Sequence, residues 1–337
     1  QCSWFQMQEL SHQWPTRSFG PHSHRTSCCG CLNLLRHYAY WGELSRAYSE
    51  ANVASHAHAF RSNVLGLRPA DPGVQRVLDM FEVETYFVAA RAVVPQPMDW
   101  PVPSNVCGFF FLDQEDYPPP AALTAFLKPG NGRAPVVCIN FGSMVLVERT
   151  NFIRDAAMAA IACGKRVLLI TGWASPPEDL PEGCFCVQSV PHEWVFDKCC
   201  AVIHHGGAGT TARVLQAGVP SVIVPILIGT DQPWWADRVE ELDCGVHVRG
   251  ATPGHKEIQE ALGKVVSTKS EGSDCTRLKA RREALANVAA CMRREDGVLN
   301  FVAAVNRLAE NMPPLGDAKR HGRSRKRSRS RSRKKER

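Results

Sequence analysis

The stretch Ala201-Val202-Ile203-His204-His205-Gly206-Gly207-Ala208-Gly209-Thr210-Thr211 decides how this chain is read. An apolar strand, Cys200 to His204, runs into a glycine turn and on into a helix, Thr210 to Ala217, that opens on two threonines. In an open parallel sheet, ligands sit outside the carboxyl ends of the strands. Glycines let a backbone approach a phosphate closely, and a helix start offers unpaired N–H groups and the positive end of its dipole. Threonine hydroxyls and an imidazole beside the turn add donors, so the stretch reads as a cradle for a diphosphate. It is not a Walker loop, because no lysine follows the last glycine, and it lacks the G-x-G-x-x-G spacing of dinucleotide folds. Adjacent strand side chains point to opposite faces, so one histidine of the pair is expected to be packed.

On either side, strands and helices alternate. Strands are expected at Val136–Phe141, Arg166–Thr171, Cys184–Val187 and within Val219–Ile228, with helices at Phe152–Cys163 and Pro233–Leu242. That alternation predicts the α/β class with a doubly wound parallel sheet. Helical segments follow near 256–266, 277–292 and 298–308. Upstream the periodicity is weaker. Leu32–Tyr48 and Val74–Phe87 read as helices and Phe87–Val94 as a strand, after which prolines between Pro95 and Pro103 and at Pro118-Pro119-Pro120 interrupt regular structure. A linker with one short helix, Ala121–Leu127, is expected between Tyr117 and Pro135.

The charge divides unevenly. Lys319 to Arg337 holds twelve Lys/Arg and one Glu, and removing this +11 from the total of +7 leaves the rest at −4. The body therefore offers no face for a phosphate backbone, and the Arg/Ser tail is expected to be disordered, with nucleic acid a partner only through it. Fourteen cysteines without a disulfide-framework spacing point to free thiols and a cytoplasmic setting. His22, His24, Cys28, Cys29 and Cys31 lack two cleanly spaced ligand pairs and read as a Cys-rich loop, with no metal expected. The longest apolar run, Val219 to Ile228, is half of the roughly 20 residues a membrane helix needs, so membrane contact would be peripheral.

Asp231-Gln232, one strand–helix unit past the glycine turn, places an acid beside an amide. The pair can accept from and donate to neighbouring sugar hydroxyls, although an Asp at a helix start also serves as an N-cap.

These residues carry a resemblance. His204 to Thr211, Ala217-Gly218-Val219-Pro220 and Asp231-Gln232-Pro233-Trp234-Trp235-Ala236-Asp237-Arg238-Val239 resemble the donor-site signature of UDP-glycosyltransferases, and the sterol 3-beta-glucosyltransferase branch is most similar. Val190 to Phe196, Asn140 to Met144, Pro95 to Pro101 and Gly108 to Leu112 are similar to further segments of that branch, with weaker similarity reaching Trp14 to Arg17. The resemblance implies a two-Rossmann-domain (GT-B) fold. Its acceptor-binding domain would be partial (1–116), followed by a linker (117–134), a UDP-sugar-binding domain (135–312) with a complete sheet, and the basic tail (313–337).

It further implies that Val190 and His192 lie at the uracil and ribose, partly through backbone atoms. His205, Ala208, Gly209 and Thr210 would hold the diphosphate with Ser143 nearby, and Asp231 and Gln232 would grip glucose hydroxyls. Of the paired histidines, His205 fits the phosphate and His204 the packed position. The implied reaction is an inverting transfer from UDP-glucose to the 3-hydroxyl of a sterol or similar lipid, with no cofactor or metal beyond the donor substrate. The family's opening strand and its catalytic base have no counterpart, so the chain is expected to begin midway through the acceptor domain. A binding protein without turnover, or a transferase for another small hydrophobic alcohol, shares the same donor site. The loop Ile226 to Thr230 is about two residues longer than usual, which is expected to displace Asp231.

Overall fold

The computed structural model describes residues 62–64, 85–96, 104–112, 117–130, 132–142, 150–173, 175–227, 230–250, 253–266 and 273–311. Two short strands, β1 (Thr85–Phe87) and β2 (Ser104–Val106), pair in parallel and precede helix α1 (Ala121–Leu127). The main sheet is built from β3 (Val136–Asn140), β4 (Arg166–Ile170), β5 (Cys184–Val187), β6 (Ala201–His204), β7 (Ser221–Ile223) and β8 (Gly245–His247). The α-helices are α2 (Thr150–Ala162), α3 (His192–Val195), which a 3-10 turn (Phe196–Lys198) follows, α4 (Ala208–Ala217), α5 (Gln232–Glu241), α6 (His255–Val266), α7 (Ser273–Arg294) and α8 (Gly297–Asn311).

All five ladders of the sheet are parallel, in the order β5-β4-β3-β6-β7-β8. From β3 the chain winds outward through β4 and β5, then returns to pair β6 on the other side of β3. This is the doubly wound strand order with its reversal between β3 and β6, where a crevice opens at the carboxyl ends. The predicted α/β class is what the chain adopts.

Every residue of β3 is buried, as a strand covered on both faces must be. Its alternation sends Val137 and Ile139 into one layer and Val136 and Cys138 into the other. The first layer packs against Ile153, Ala156 and Ala160 of α2 and Ile258, Ala261 and Leu262 of α6. The second meets Leu123 and Leu127 of α1, Val195 and Phe196 around α3, and Val214 of α4. The short helix expected in the linker is therefore part of the sheet's cover.

A third cluster joins Phe87, Val93, Val106 and Phe109 to Leu215 of α4, Trp235 and Val239 of α5, and Leu285 and Met292 of α7. Polar ties reinforce it: Arg238 Nε donates to the Val93 carbonyl at 2.5 Å, and Glu295 accepts from the Arg91 backbone N–H at 3.2 Å. The chain divides into two compact units at Val298–Leu299, and α8 runs from the end of the first into the second.

Several boundaries depart from expectation. Thr85–Phe87 is strand where the Val74–Phe87 helix was expected to end, and 88–94 forms no strand, with a turn at 91–93. Among the described residues of 219–228, Ser221–Ile223 alone forms a strand, matching the three-residue length of its neighbour β8. The helices expected at 32–48 and before residue 85, the Cys/His loop at 22–31, Trp14–Arg17, Ser143 and the basic tail lie outside the described residues.

Candidate functional site

The glycine turn is shaped by what stands around it. Gly206 takes φ +87°, and a Cβ there would come within 2.8 Å of both the Gln232 carbonyl oxygen and Ile223 Cγ2. Only glycine fits such a left-handed, crowded position. A Cβ at Gly207 would meet His205 Nε2 at 2.4 Å. The turn thus brings β6 against the start of α5 and leaves the His205 ring seated over it.

Gly207 is the N-cap of α4, which begins at Ala208 rather than Thr210. Ala208, Gly209 and Thr210 therefore form the helix's first turn, with N–H groups that have no intrahelical acceptor; the first i→i−4 bond runs from Thr211 N–H to the Gly207 carbonyl. No side chain caps this end, and a Cβ at Gly209 would meet nothing within 4 Å. Thr210 is 8% exposed, and the fully buried Thr211 Oγ1 has no hydrogen-bond partner.

The two histidines separate as the strand period requires. His204 is fully buried, with Nδ1 accepting from the Gly206 N–H at 3.2 Å and Nε2 3.1 Å from Ser221 Oγ. Since Nδ1 accepts, Nε2 carries the proton and donates to Ser221. Burial pushes its pKa well below the ordinary value, with His205 and His192 adding to the effect. His205 is 9% exposed and lies between Gly142 and Gly207, where a Gly142 Cβ would be 3.0 Å from its Cε1. Its pKa is lowered by burial, partly opposed by the Asn140 carbonyl and assisted by His192. That carbonyl stands outside hydrogen-bonding geometry, and His205 Nδ1 is buried without a partner.

His192 opens α3 and stacks on Phe196 with ring centroids 4.6 Å apart. Its Nε2 lies 2.7 Å from Asn140 Nδ2. Burial lowers its pKa, Glu193 opposes this, and Arg213 adds to it. Val190 is buried in the sheet's second layer.

Asp231 is the N-cap residue of α5 but caps nothing with its side chain. Oδ2 accepts from Trp235 Nε1 at 3.0 Å, and burial raises its pKa while that bond works the other way. Gln232 is 5% exposed, and its Oε1 accepts from the Ile226 and Leu227 N–H groups at 2.9 and 3.0 Å. The Thr230 hydroxyl and N–H both donate to the Leu227 carbonyl, at 2.7 and 3.2 Å. These bonds tie Ile226 and Leu227 to Gln232 and to Thr230, and α5 starts against Gly206.

The structure thus converges His192, His205, the first turn of α4 and the start of α5 on the carboxyl edge between β3 and β6, with Ser143 outside the described residues. Sequence reasoning gave no role to Asn140, whose amide bridges His192 and the Gly142 N–H. The available signal was a single amide closing an otherwise apolar strand.

A family model, the erythromycin biosynthesis protein CIII-like C-terminal domain, matches residues 168–290. A sterol 3-beta-glucosyltransferase of Cryptococcus neoformans var. neoformans serotype D is 31% identical over 278 residues, 76% of this chain and 16% of that protein. One from Arabidopsis thaliana is 35% identical over 63% of this chain and 31% of its own length. One from Leptosphaeria maculans is 39% identical over 47% and 11%. The chain thus spans between about a tenth and a third of these relatives. Among solved structures, the calicheamicin glycosyltransferase CalG4 superposes with a TM-score of 0.55 at 22% identity, covering 82% of this chain and 66% of that one. The glycotransferase of kitacinnamycin superposes with a TM-score of 0.52 at 20% identity, covering 77% and 66%. The sheet is that of a GT-B glycosyltransferase. By fold, matched domain and relatives together, the chain belongs to the UDP-glycosyltransferase superfamily, with the sterol 3-beta-glucosyltransferases as its kin.

Proposed function

We propose that the carboxyl edge between β3 and β6 binds UDP-glucose, and that the protein transfers its glucose, with inversion, to the 3-hydroxyl of a sterol or similar lipid. The observation that carries this reading is the nine-tenths-buried His205 ring, with an unpartnered Nδ1, beside an uncapped helix start in front of open space. The N–H groups of Ala208, Gly209 and Thr210 and the His205 imidazole hold the diphosphate, and Ser143 is assigned there by resemblance. His192 and the Val190 backbone face the nucleoside, and Asp231 binds hexose hydroxyls. Gln232 steadies the loop beside the sugar through its Oε1 and completes that subsite. UDP gains negative charge as it leaves, so donors at the diphosphate stabilise the transition state more than the ground state. The acceptor's proton is taken by a base in the acceptor-binding part of the full protein. A sterol acceptor implies work at a membrane surface from the cytoplasmic side; among the described residues no helix is long and apolar enough to cross a membrane.

Calorimetric titration of the chain with UDP and UDP-glucose tests the donor site. His205→Ala should weaken both ligands by about 1–3 kcal/mol, the cost of a charge-assisted hydrogen bond. Asp231→Ala should weaken UDP-glucose and leave UDP unchanged; an equal effect on both ligands removes Asp231 from the sugar subsite.

A further inference from the structure

Asn140 closes β3 with its side chain out of water, 2% exposed, at the strand end where the crevice opens. An amide there is costly unless both of its ends are bonded. Oδ1 accepts from the Gly142 N–H at 2.7 Å, closing the turn that leaves the strand, and Nδ2 lies 2.7 Å from His192 Nε2. A backbone N–H can only donate, so the amide oxygen must face Gly142. The end facing His192 is then the NH₂ group, which can only donate in its turn. His192 Nε2 is therefore the acceptor, and the ring's proton resides on Nδ1. Phe196, stacked on the imidazole, fixes the plane in which this proton lies.

We propose that Asn140 is a positioning residue that locks His192 as the neutral Nδ1–H tautomer, aiming one hydrogen-bond donor at the nucleoside end of the ligand. The proposal rests on the donor-site reading for the ligand, but the tautomer follows from the bonds alone. Charge reaches this ring from Glu193 and Arg213, which stand 3.9 Å apart, and from the neighbouring imidazoles of His204 and His205. Glu193 and Arg213 pull its protonation in opposite directions. The amide of Asn140, 2.7 Å from Nε2, is the group that chooses between its two nitrogens.

Nitrogen-15 spectra of the full chain carrying labelled histidine read this directly, with the His192 signals assigned by their loss in His192→Gln. At pH 7.5 the wild type should show a protonated Nδ1 and an unprotonated Nε2. Asn140→Asp keeps the acceptor for Gly142 but presents an acceptor to His192, and should move the proton to Nε2 or place one on both nitrogens. Asn140→Ala should lower UDP affinity by about tenfold, as for one oriented hydrogen bond. A wild-type spectrum with the proton on Nε2, or an unchanged pattern in Asn140→Asp, overturns the proposal. If Asn140→Asp does not fold, the wild-type spectrum still decides. The expected tautomer in a chain that fails to bind UDP sinks the donor-site reading instead, while UDP binding with the other tautomer sinks only this inference.

Discussion

Asp231 stands at the start of α5 with Trp235 Nε1 on one carboxylate oxygen and most of its surface covered. Desolvation raises its pKa against the pull of that bond, so its ionised form is held at a cost to the fold. A group with a raised folded-state pKa stabilises below its unfolded value and loses that contribution as pH rises, so at pH 7 Asp231 works against stability. Asp231→Asn keeps an acceptor for Trp235 and removes the cost. Thermal unfolding at pH 7 should give a Tm equal to or above that of the wild type, the difference closing as pH falls through the ordinary carboxylate range. UDP-glucose affinity should drop by about tenfold; a lowered Tm would contradict this reading of the site. At this scale strand alternation leads one to expect one packed histidine of the pair, and His204 is the one fully buried against Ser221. It could not give the partners: Ser221 reaches His204 across the β6–β7 pairing, and Asn140 reaches His192 from a strand end to a helix start, contacts that no local pattern encodes.

At the scale of the element, α4 shows how one helix serves both fold and site. Its C-terminus closes with Gly218 in the left-handed region, the Gly218 N–H on the Leu215 carbonyl and the Val219 N–H on the Val214 carbonyl. Val214 and Val219 share the same apolar layer, the usual companion of this closure. Its N-terminus lies two residues before the expected Thr210, because Gly207 is the cap and Gly209 is a helical residue of the first turn. The open space at Gly209 has a consequence. Gly209→Ala should stabilise the chain in chemical unfolding by no more than the roughly 0.5–1 kcal/mol of a helix interior, while its methyl group intrudes on the diphosphate. A gain in stability with no loss of UDP affinity would place the ligand elsewhere. β8 escaped notice for a plain reason: Gly245–His247 is too short to carry a period, and only pairing with β7 defines it.

Across the whole chain, the alternation of strands and helices announced a parallel sheet, but the order of its strands became visible only through the pairings. That order puts the reversal between β3 and β6, and places Asn140, the glycine turn and the start of α4 side by side although more than sixty residues separate the first from the last. The upstream segments follow a similar logic. Val93, Val106 and Phe109 show no clear period in sequence, yet they pack on α4, α5 and α7 as part of one core. The measurement that tests the central claim most directly is a UDP titration of the chain followed by backbone amide resonances. The amides of Ala208, Gly209 and Thr210 should shift in saturable fashion together with those of Gly206 and Gly207, and His205→Ala should reduce the affinity reported by all of them. Saturable shifts confined to the opposite edge of the sheet, with the first turn of α4 unmoved, would contradict the account.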